Sequence, residues 1–537
     1  MLQKTITIAF IYTCVIFTSC DSLLNTPPLD QIPDDQWWKN KKQTIMMVNS
    51  TYEKLFDIND VAFGDCISDN AKHRDGNITN VGNGTYDTRN PHILGFWKYN
   101  SIAELNYVLE GLEKSKANIS DEEYRQFRAQ VRFIRAFVYY YMAFRFGDIP
   151  LITKTLTVQE SRQTSRQDRA EVLAFILHEL EEGVLKDIEV VPVTESGRVN
   201  KDVVNAFLAR IHLYEKNYKK AIYYANALIE TNRYELYNDY DGLFRPQSDG
   251  KNKEVIFERQ YVQSLYTHVL NRNLSPASSV YTGWSNALIL QSLVDEYECI
   301  EGHAFHDCES LGCKRVQERK DIESPSKRGE YEFRDPRLAA TVMFPFWQWK
   351  VGDMIQSVYG VDDPESRDYV KKETHMSGYL VTKWVDLLGE FNDRTLAHKN
   401  MTIIRYADVL LMKAEALIEE GQNLEEAVAL IKQVRDRAGM PTNIIVTNQG
   451  ELREKLRHER RVETAFEGLR YFDIIRWRIA GQVKSGKTYG ARLKAVNENM
   501  DNKFMEERFW DDKMYLFPVP QGAIDVNPNL EPNNNGW

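Results

Sequence analysis

The chain has 537 residues, and its formal net charge of -10 arises from 68 basic and 78 acidic side chains. This acidic balance argues against a nucleic-acid-binding protein, which would carry a basic stripe. A mean hydropathy of -0.49 excludes a polytopic membrane protein. Aromatic residues make up 12% of the chain, including 10 Trp and 28 Tyr, which is more flat ring surface than a core alone requires.

Residues 1–19 have the pattern of an export signal. Lys4 precedes the apolar run 6–17, which is shorter than the roughly 20 residues of a spanning helix. The run ends in Thr18-Ser19-Cys20, which resembles the lipobox of bacterial lipoproteins, with Phe17 where Leu is more usual. We therefore expect cleavage before Cys20 and lipid on its thiol, and a plain secretory signal is the alternative. No later segment reaches spanning length, so the mature chain is expected to be anchored.

The mature chain is predicted to begin with an extended tether and to continue as one interlocked domain. Residues 20–36 lack periodicity and contain three prolines, as in an extended linker. Residues 37–537 form the domain. Its predicted parts are a helical half over 37–240, a loop-rich binding region over 241–400 and C-terminal helical motifs over 401–537.

Helical periodicity dominates the domain. Apolar residues at helical spacing predict a helix over 124–146, which Gly147 and Pro150 end. Segments 205–230 and 405–437 each predict two antiparallel helices with small residues where the helices meet, as in tetratricopeptide units. An ordinary helical hairpin is the alternative for either segment. The predicted fold class is mainly α, with such helix pairs as a scaffold under long irregular loops and a few short strands.

One segment carries residue types that bind zinc. Cys299, Cys308 and Cys313 lie close to His303 and His306, but the spacing matches neither a paired CxxC nor a terminal His pair. A local disulfide, Cys308–Cys313 or Cys299 with one of them, is preferred over a metal, since disulfides persist outside the cytoplasm. No metal and no cofactor are predicted.

The sequence contains partial matches to catalytic motifs, but each lacks a residue or a structural context that its chemistry needs. Residues 481–488 match the P-loop pattern GxxxxGK[ST], but the segment before them has helical spacing instead of a buried strand, and an exported protein has no ATP supply. His458-Glu459 is not a zinc-protease motif, because Val462 stands where the second His is needed. No GxSxG occurs, and nothing singles out a pair of carboxylates for glycoside hydrolysis. The protein is therefore predicted not to be an enzyme.

Several motifs in the same order resemble the SusD/RagB family of Bacteroidetes outer-membrane lipoproteins. The resemblance spans essentially the whole mature chain, and its C-terminal motifs are the most specific. The matching segments are RYADVLLMKAEA at 405–416, RDRAG at 435–439, HERR at 458–461, FEGLRYFDIIRW at 466–477, LFPVP at 516–520 and NPNL at 527–530, with CDSLL at 20–24, Trp97 to Asn106, RA at 135–136, FGDIPL at 146–151 and RDPR at 334–337.

The resemblance implies a mostly helical, non-catalytic protein at the cell surface. Members of the family bind oligosaccharides, and a few bind peptides. They deliver the nutrient to a SusC-type TonB-dependent transporter, over which the lipoprotein acts as a lid. The alternatives are a peptide-binding RagB-like protein, a lipid-anchored glycoside hydrolase or peptidase, and a tetratricopeptide adaptor that binds only protein.

The charged residues of the C-terminal motifs are interpreted as structural. Their helical spacing indicates an internal salt-bridge network, with Trp477 in the core and Trp97 in a packing motif. The network residues are Arg460, Arg461, Glu463, Glu467 and Asp473.

The predicted sugar site consists of loop aromatics and one polar loop. Trp284, with Tyr281, precedes residues 290–297, a stretch that resembles the family segment bordering the ligand surface. Trp347 and Trp349 follow the Arg334–Arg337 step, and at least one of them is expected to face ligand. Such rings complement the apolar C–H faces of sugars, while polar groups bond the hydroxyls at the rim. The polar loop supplies Asp69, His73, Arg74, Asn77 and Tyr86.

Overall fold

The computed structural model describes residues 37–193, 195–277, 279, 282–314, 331–345, 347–351, 354–357, 376–386, 395–444, 448–492 and 503–537. The predicted signal peptide and tether lie outside these residues. Helices dominate the described chain, as the sequence predicts. None of its helices is both long and apolar enough to cross a membrane.

The long helices lie in the N-terminal and C-terminal parts of the chain, and the helices of the middle region are all short. The first group is α1 (Lys41–Thr51), α2 (Ile58–Ala62), α3 (Gly76–Asn83), α4 (Pro91–Leu94), α5 (Tyr99–Ser115), α6 (Asp121–Phe146), α7 (Val158–Ser161), α8 (Arg169–His178), α9 (Leu185–Asp187), α10 (Lys201–Tyr214) and α11 (Tyr218–Ile229). The middle region has α12 (Tyr240–Leu243), α13 (Leu270–Leu274), α14 (Gln291–Glu296), α15 (Cys308–Leu311) and α16 (Pro336–Thr341). The C-terminal group is α17 (Tyr406–Glu420), α18 (Leu424–Arg437), α19 (Gln449–Glu463), α20 (Arg470–Arg476), α21 (Ala480–Val483) and α22 (Gln521–Val526).

Helix α6 confirms the helix predicted over 124–146. It begins at a capping box, in which Ser120 Oγ accepts the Glu123 N–H at 3.2 Å and the Glu123 carboxylate accepts the Ser120 N–H at 3.1 Å. Gly147 has a φ of 73° and ends the helix, a conformation that favours glycine. The C-terminal two-thirds of α6 is buried, and Phe137 packs on Phe207 of α10 with ring centroids 5.2 Å apart.

The two predicted helical hairpins are present. The first is the pair α10 and α11, and the second is the pair α17 and α18. The small residues predicted at the contacts, such as Ala209, Ala225 and Ala414, are fully buried, which lets the helices approach closely. Helix α11 also packs on α17, and α19 packs on α17 as well, so the hairpins form a continuous helical scaffold.

The strands of the described residues are short and form two-stranded antiparallel sheets. The strands are β1 (Ala71–His73), β2 (Val255–Arg259), β3 (Ala287–Ile289), β4 (Val342–Met343), β5 (Gln348–Val351), β6 (Met354–Ser357), β7 (Leu380–Val381), β8 (Met401–Arg405), β9 (Gly486–Tyr489) and β10 (Phe504–Arg508). The pairs are β1–β3, β2–β8, β4–β7, β5–β6 and β9–β10. Strand β8 runs directly into α17, so the β2–β8 pair is attached to the helical scaffold.

The predicted internal salt-bridge network is confirmed. Glu463 is fully buried, and its carboxylate binds Arg405 Nη1 at 2.6 Å, Arg337 Nη1 at 2.7 Å and Arg437. Arg405 also binds Glu467 at 2.7 Å. Each charge in this interior is neutralised by more than one partner, as buried charges require.

The other predicted network residues bind carboxylates in the same way. Arg460 bridges Asp408 at 2.6 Å and Asp473 at 2.7 Å, so it ties α19 to both α17 and α20. Arg461 reaches Asp69 in the N-terminal half at 3.0 Å. The network therefore connects distant parts of the chain.

Trp477 is half-buried, and its prediction as a core residue is wrong. Its Nε1–H donates to Glu415 at 2.6 Å, and its ring lies about equally far from the guanidinium groups of Arg457 and Arg476, at 5.0 and 4.8 Å. The cations hold the ring at the edge of the scaffold. Trp97 does pack, with its ring 4.9 Å from that of Phe146.

The P-loop-like sequence does not have P-loop geometry, which confirms its dismissal. A short helix, α21, precedes Gly486 and a strand, β9, contains Lys487 and Thr488. A phosphate-binding loop needs the opposite order, a strand before and a helix after. Lys487 is exposed on β9.

Replacing Glu463 with Gln is expected to destabilise the protein by about 3–5 kcal/mol, because it leaves buried arginine charge without its partner. Urea unfolding followed by circular dichroism measures the free energy. Glu419→Gln is the matched control, since Glu419 pairs with the partly exposed Arg453 and such pairs contribute about 0–1 kcal/mol. Equal losses in the two variants would contradict the structural role of Glu463.

Lys484 lies between α21 and β9 in the sequence and is buried, and its shifted pKa predicts how the stability of the protein depends on pH. Its Nζ lies 3.4 Å from the Val81 carbonyl, and burial, together with Arg508, lowers its pKa from 10.5 to about 7. Between these values the unfolded chain binds more protons than the folded chain, so this group makes stability rise with pH. Lys484→Met should therefore stabilise the protein near neutral pH.

The advantage of Lys484→Met over wild type should shrink by up to about 1.4 kcal/mol per pH unit between about pH 7.5 and 9.5, the slope for one coupled proton. Urea unfolding at each pH measures it. Lys487→Met, three residues along and exposed, should show no such trend. An advantage of Lys484→Met that does not change with pH would contradict this assignment.

Candidate functional site

The polar loop and the Trp284 segment meet at one small sheet. Strand β1 follows Asp69 and Asn70, and β3 follows Trp284 by two residues, with Lys72 opposite Leu288. The Arg74 N–H extends this pairing by donating to the Asn286 carbonyl at 3.0 Å. Two regions that are more than 200 residues apart in the sequence are therefore neighbours, as the predicted site requires.

Trp284 presents its ring to solvent. The side chain is 47% exposed, and the guanidinium carbon of Arg272 lies 4.2 Å from the ring centroid. The Trp284 N–H donates to the Arg272 carbonyl at 2.7 Å, and Arg74 Nη1 donates to the Trp284 carbonyl at 2.6 Å. Hydrogen bonds therefore hold the Trp284 backbone on both sides. The Arg272 cation lies against the indole face, which attracts it because that face carries partial negative charge.

The turn that carries Trp284 is held in an unusual conformation. Thr282 and Ser285 have φ values of 44° and 50°, in the left-handed region that L-residues rarely adopt. A Cβ on Gly283 would lie 1.9 Å from the Ser275 carbonyl, so only glycine fits. Strained residues of this kind persist where the surroundings determine them, and they concentrate at ligand sites.

Two buried polar atoms near Trp284 lack hydrogen-bond partners among the described residues. Arg272 Nε and Asn273 Oδ1 are buried and have no hydrogen-bond partner among the described residues. Buried groups of this kind are uncommon in folded proteins and need an explanation, such as an ordered water or a functional role. Sequence reasoning missed Arg272, because nothing in the sequence indicates that its side chain lies against a ring twelve residues later.

Arg74 and Asn77 lie on the surface of the polar loop. Both side chains are exposed, and α3 begins at Gly76, between the two residues. Asp75 caps that helix, because its carboxylate accepts the Asn77 N–H at 2.8 Å. A Cβ on Gly76 would meet nothing within 4 Å, so the space in front of this turn is open. Arg74 contacts the Trp284 backbone directly, and ligand contact by Arg74 and Asn77 stays a prediction.

Asp69 and His73 are buried, and their positions favour a supporting role. Asp69 accepts from Arg470 Nε and Nη2, both at 2.8 Å, and binds Arg461 at 3.0 Å. Burial alone would raise the pKa of Asp69, but the two guanidinium groups hold it well below its usual range. His73 Nδ1 accepts the Asp75 N–H at 2.9 Å, and burial lowers the pKa of His73 to about 4. Direct ligand contact by these residues stays a prediction.

Tyr86 and Trp347 pack against other rings. Tyr86 is buried against Phe517 and Trp537, with ring centroids 5.8 and 4.9 Å away. Trp347 is half-buried, with its ring perpendicular to that of Phe344 at 5.1 Å. Trp347 is therefore used at least in part for packing, and its contact with ligand stays a prediction.

Trp347 belongs to the same strand assembly as Trp284. The Ile289 N–H of β3 donates to the Tyr379 carbonyl just before β7, and β7 pairs with β4, which leads to Trp347. In the β5–β6 hairpin Trp349 is opposite Gln356. The Trp349 side chain and Tyr281 lie outside the described residues, so their part in the site stays a prediction.

The predicted disulfide is not formed in the structure. Cys299, Cys308 and Cys313 are free thiols, and all three are buried. Sequence spacing suggested a disulfide because two of them are close along the chain, but their sulfurs share one small cluster with His303.

Comparison with known proteins identifies the family. Residues 253–537 match the SusD family, and residues 38–213 match a family described as starch-binding, associating with outer membrane. SusD-like protein P2 of Formosa agariphila is 24% identical over 577 aligned positions that cover 100% of both chains. The starch-binding protein SusD of Bacteroides thetaiotaomicron is 22% identical over 468 positions, covering 80% of this chain and 76% of that protein.

A solved structure agrees with the sequence matches. A SusD-like carbohydrate binding protein of Bacteroides fragilis superposes with a TM-score of 0.80 at 27% identity, covering 92% of this chain and 99% of that one. The chain belongs to the SusD family, as its motifs indicate.

Proposed function

We propose that this protein is a non-catalytic glycan-binding lipoprotein of the outer-membrane surface, which captures oligosaccharide and delivers it to a SusC-type TonB-dependent transporter. The observation that supports it most directly is Trp284, an exposed ring on a fixed backbone with a cation against it. The carbohydrate-binding and starch-binding descriptions of its relatives point the same way.

Stacking and hydrogen bonding make different contributions to the recognition of a sugar. The indole face of Trp284 offers apolar surface to the C–H face of a pyranose ring. Arg74 and Asn77, on the neighbouring loop, offer donors for the hydroxyl groups at its rim. The proposed site also includes Trp347 and Trp349, of which at least one is expected to face a second sugar ring. Asp69 and His73 support the loop from beneath.

The site is an open platform. A cavity of about 590 Å³ lies elsewhere, lined by Trp97, Ile152 and Val526 among others, and Trp284 is not part of it. An open surface accepts the middle of a glycan chain as readily as its end. We therefore infer that the ligand is an oligosaccharide of several units, bound along its length.

Replacing Trp284 with Ala is expected to weaken glycan binding tenfold to a hundredfold. Loss of a stacking ring costs about 1–3 kcal/mol, taking the scale known for bases stacked on aromatics, and each 1.4 kcal/mol is tenfold. The cognate glycan is first found by native electrophoresis in gels containing amylopectin, laminarin, xylan or pectin. Calorimetry with an oligosaccharide from that polymer then gives the affinity.

Matched variants make this test specific. Trp347→Ala and Trp349→Ala should weaken binding in at least one case, and Arg74→Ala should weaken it less than Trp284→Ala does. Tyr223→Ala removes an even more exposed ring on α11 and should bind as wild type does. Unchanged affinity in Trp284→Ala, Trp347→Ala and Trp349→Ala, all with native melting, would place the site elsewhere. Release of reducing sugar during incubation would favour a glycoside hydrolase. Binding of peptides without binding of glycans would favour a RagB-like role.

Lipid anchoring is tested at Cys20. Cys20→Ala should move the protein from the membrane fraction to the soluble fraction of cells that lack the transporter, because the remaining chain has no other predicted anchor. Cys14→Ala is the control, since that thiol lies within the predicted signal peptide and should leave fractionation unchanged. Membrane retention of the Cys20→Ala protein would contradict the anchor.

A further inference from the structure

Three buried thiols cluster near α15, and the imidazole of His303 lies beside one of them. Cys299, Cys308 and Cys313 are 0%, 0% and 3% exposed, and they form a small cluster of their own, separate from the main core. Buried cysteines ordinarily pack among larger apolar side chains as small hydrophobic residues. Here the thiols contact one another and His303, so packing alone does not explain their burial.

The ligand atoms are close enough to share one ion. The binding atoms of Cys299, Glu301, His303 and Cys313 all lie within 4.8 Å of one another. His303 Nδ1 is 3.1 Å from Cys313 Sγ. In a tetrahedral site with Zn–S and Zn–N bonds of about 2.3 and 2.0 Å, neighbouring ligand atoms lie roughly 3.5–3.8 Å apart. Cys308 is not one of these four residues, so its thiol must approach the other ligands when an ion binds.

Two tight turns bring these side chains together. In the first, the Cys299 N–H donates to the His303 carbonyl at 2.9 Å, and Gly302 has a φ of 82°. In the second, the Cys313 N–H donates to the Cys308 carbonyl at 3.2 Å, and Gly312 has a φ of 63°. Each turn therefore closes on a glycine in the left-handed region and has a candidate ligand at both ends.

We propose that Cys299, His303, Cys308 and Cys313 bind a structural zinc ion. Sulfur and imidazole ligands suit zinc, whereas calcium and magnesium take oxygen ligands. Binding converts the three thiols to thiolates, and their protons pass to solvent. This site is independent of the glycan platform and of the proposed function.

Cys308 is assigned as the fourth ligand in preference to Glu301. The Cys308 thiol is buried and in hydrogen-bonding contact with both other thiols. Glu301 is exposed, and its carboxylate already accepts the Lys314 N–H at 2.9 Å. A disulfide would use two of the thiols and leave the third buried beside His303, whereas a zinc ion uses all three.

The ion would fasten this segment to the edge of the buried salt-bridge network. The Ile300 N–H donates to the Phe333 carbonyl at 2.9 Å, and the backbones of Cys299 and Arg334 form an isolated antiparallel β-bridge. The preceding residue, Glu298, binds Arg435 at 2.8 Å. Removing the ion should therefore loosen residues that the network holds, and the melting temperature should fall.

The test uses the full mature chain, expressed with zinc in the medium and purified without nickel or chelators. Elemental mass spectrometry should find about one zinc per chain, as for a closed structural site. Cobalt added to the chelated protein should give a thiolate-to-cobalt charge-transfer band. Chelation should lower the melting temperature, and zinc should restore it. The chelation step tests the site without any substitution, so it stands even where a variant folds poorly.

Substitutions then assign the ligands. Cys299→Ser, His303→Ala, Cys308→Ser and Cys313→Ser should each reduce the zinc content severalfold or abolish it. Glu301→Gln and His306→Ala should keep it, because neither residue is an assigned ligand. Loss of zinc in Glu301→Gln with retention in Cys308→Ser would overturn the assignment of the fourth ligand. A zinc-free protein with a disulfide among these cysteines, shown by peptide mass mapping, would overturn the site.

Discussion

Glu463 is shared by three arginines in an interior that water does not reach, and the C-terminal half of the protein is organised around this sharing. Arg405 comes from the end of β8, Arg437 from the end of α18 and Arg337 from α16, so one carboxylate fixes three elements relative to α19. Buried charges are costly unless every one is paired. The elements must therefore reach their final arrangement together, because a partial arrangement leaves a charge in the interior without its partner.

The same network extends to the candidate sugar site. Arg461 on α19 and Arg470 on α20 hold Asp69, the residue at which the polar loop begins. Strand β1 follows, and it pairs with β3, which follows Trp284. The exposed ring is therefore connected to the buried salt-bridge network through a short run of ion pairs and strand hydrogen bonds. A binding surface gains affinity when it is fixed in advance, because less freedom is lost when ligand arrives.

The helical part of this structure could be predicted from sequence because its signals are local. The capping box at Ser120, the glycine at 147 and the alanines of the helix pairs each act over a few residues. The site could be predicted only in part, because it depends on contacts across more than 200 residues. The polar character of Asp69 does not reveal that two arginines bury it, and the sequence shows no sign that Arg272 lies against Trp284. The thiols near α15 show the same limit, because spacing along the chain suggested a bond between two of them and not a cluster of three.

The sharing of Glu463 also restricts how this sequence can change over evolutionary time. A substitution at one member alters the charge balance of all the others, so a single change costs stability unless a second change compensates for it. The exposed residues of the candidate sugar site, such as Trp284 and Asn77, are not members of this network, unlike Asp69 beneath them, and can vary one residue at a time. Such a protein can acquire new ligands by drift at its surface while its interior stays the same, and relatives at about a quarter sequence identity can keep one architecture.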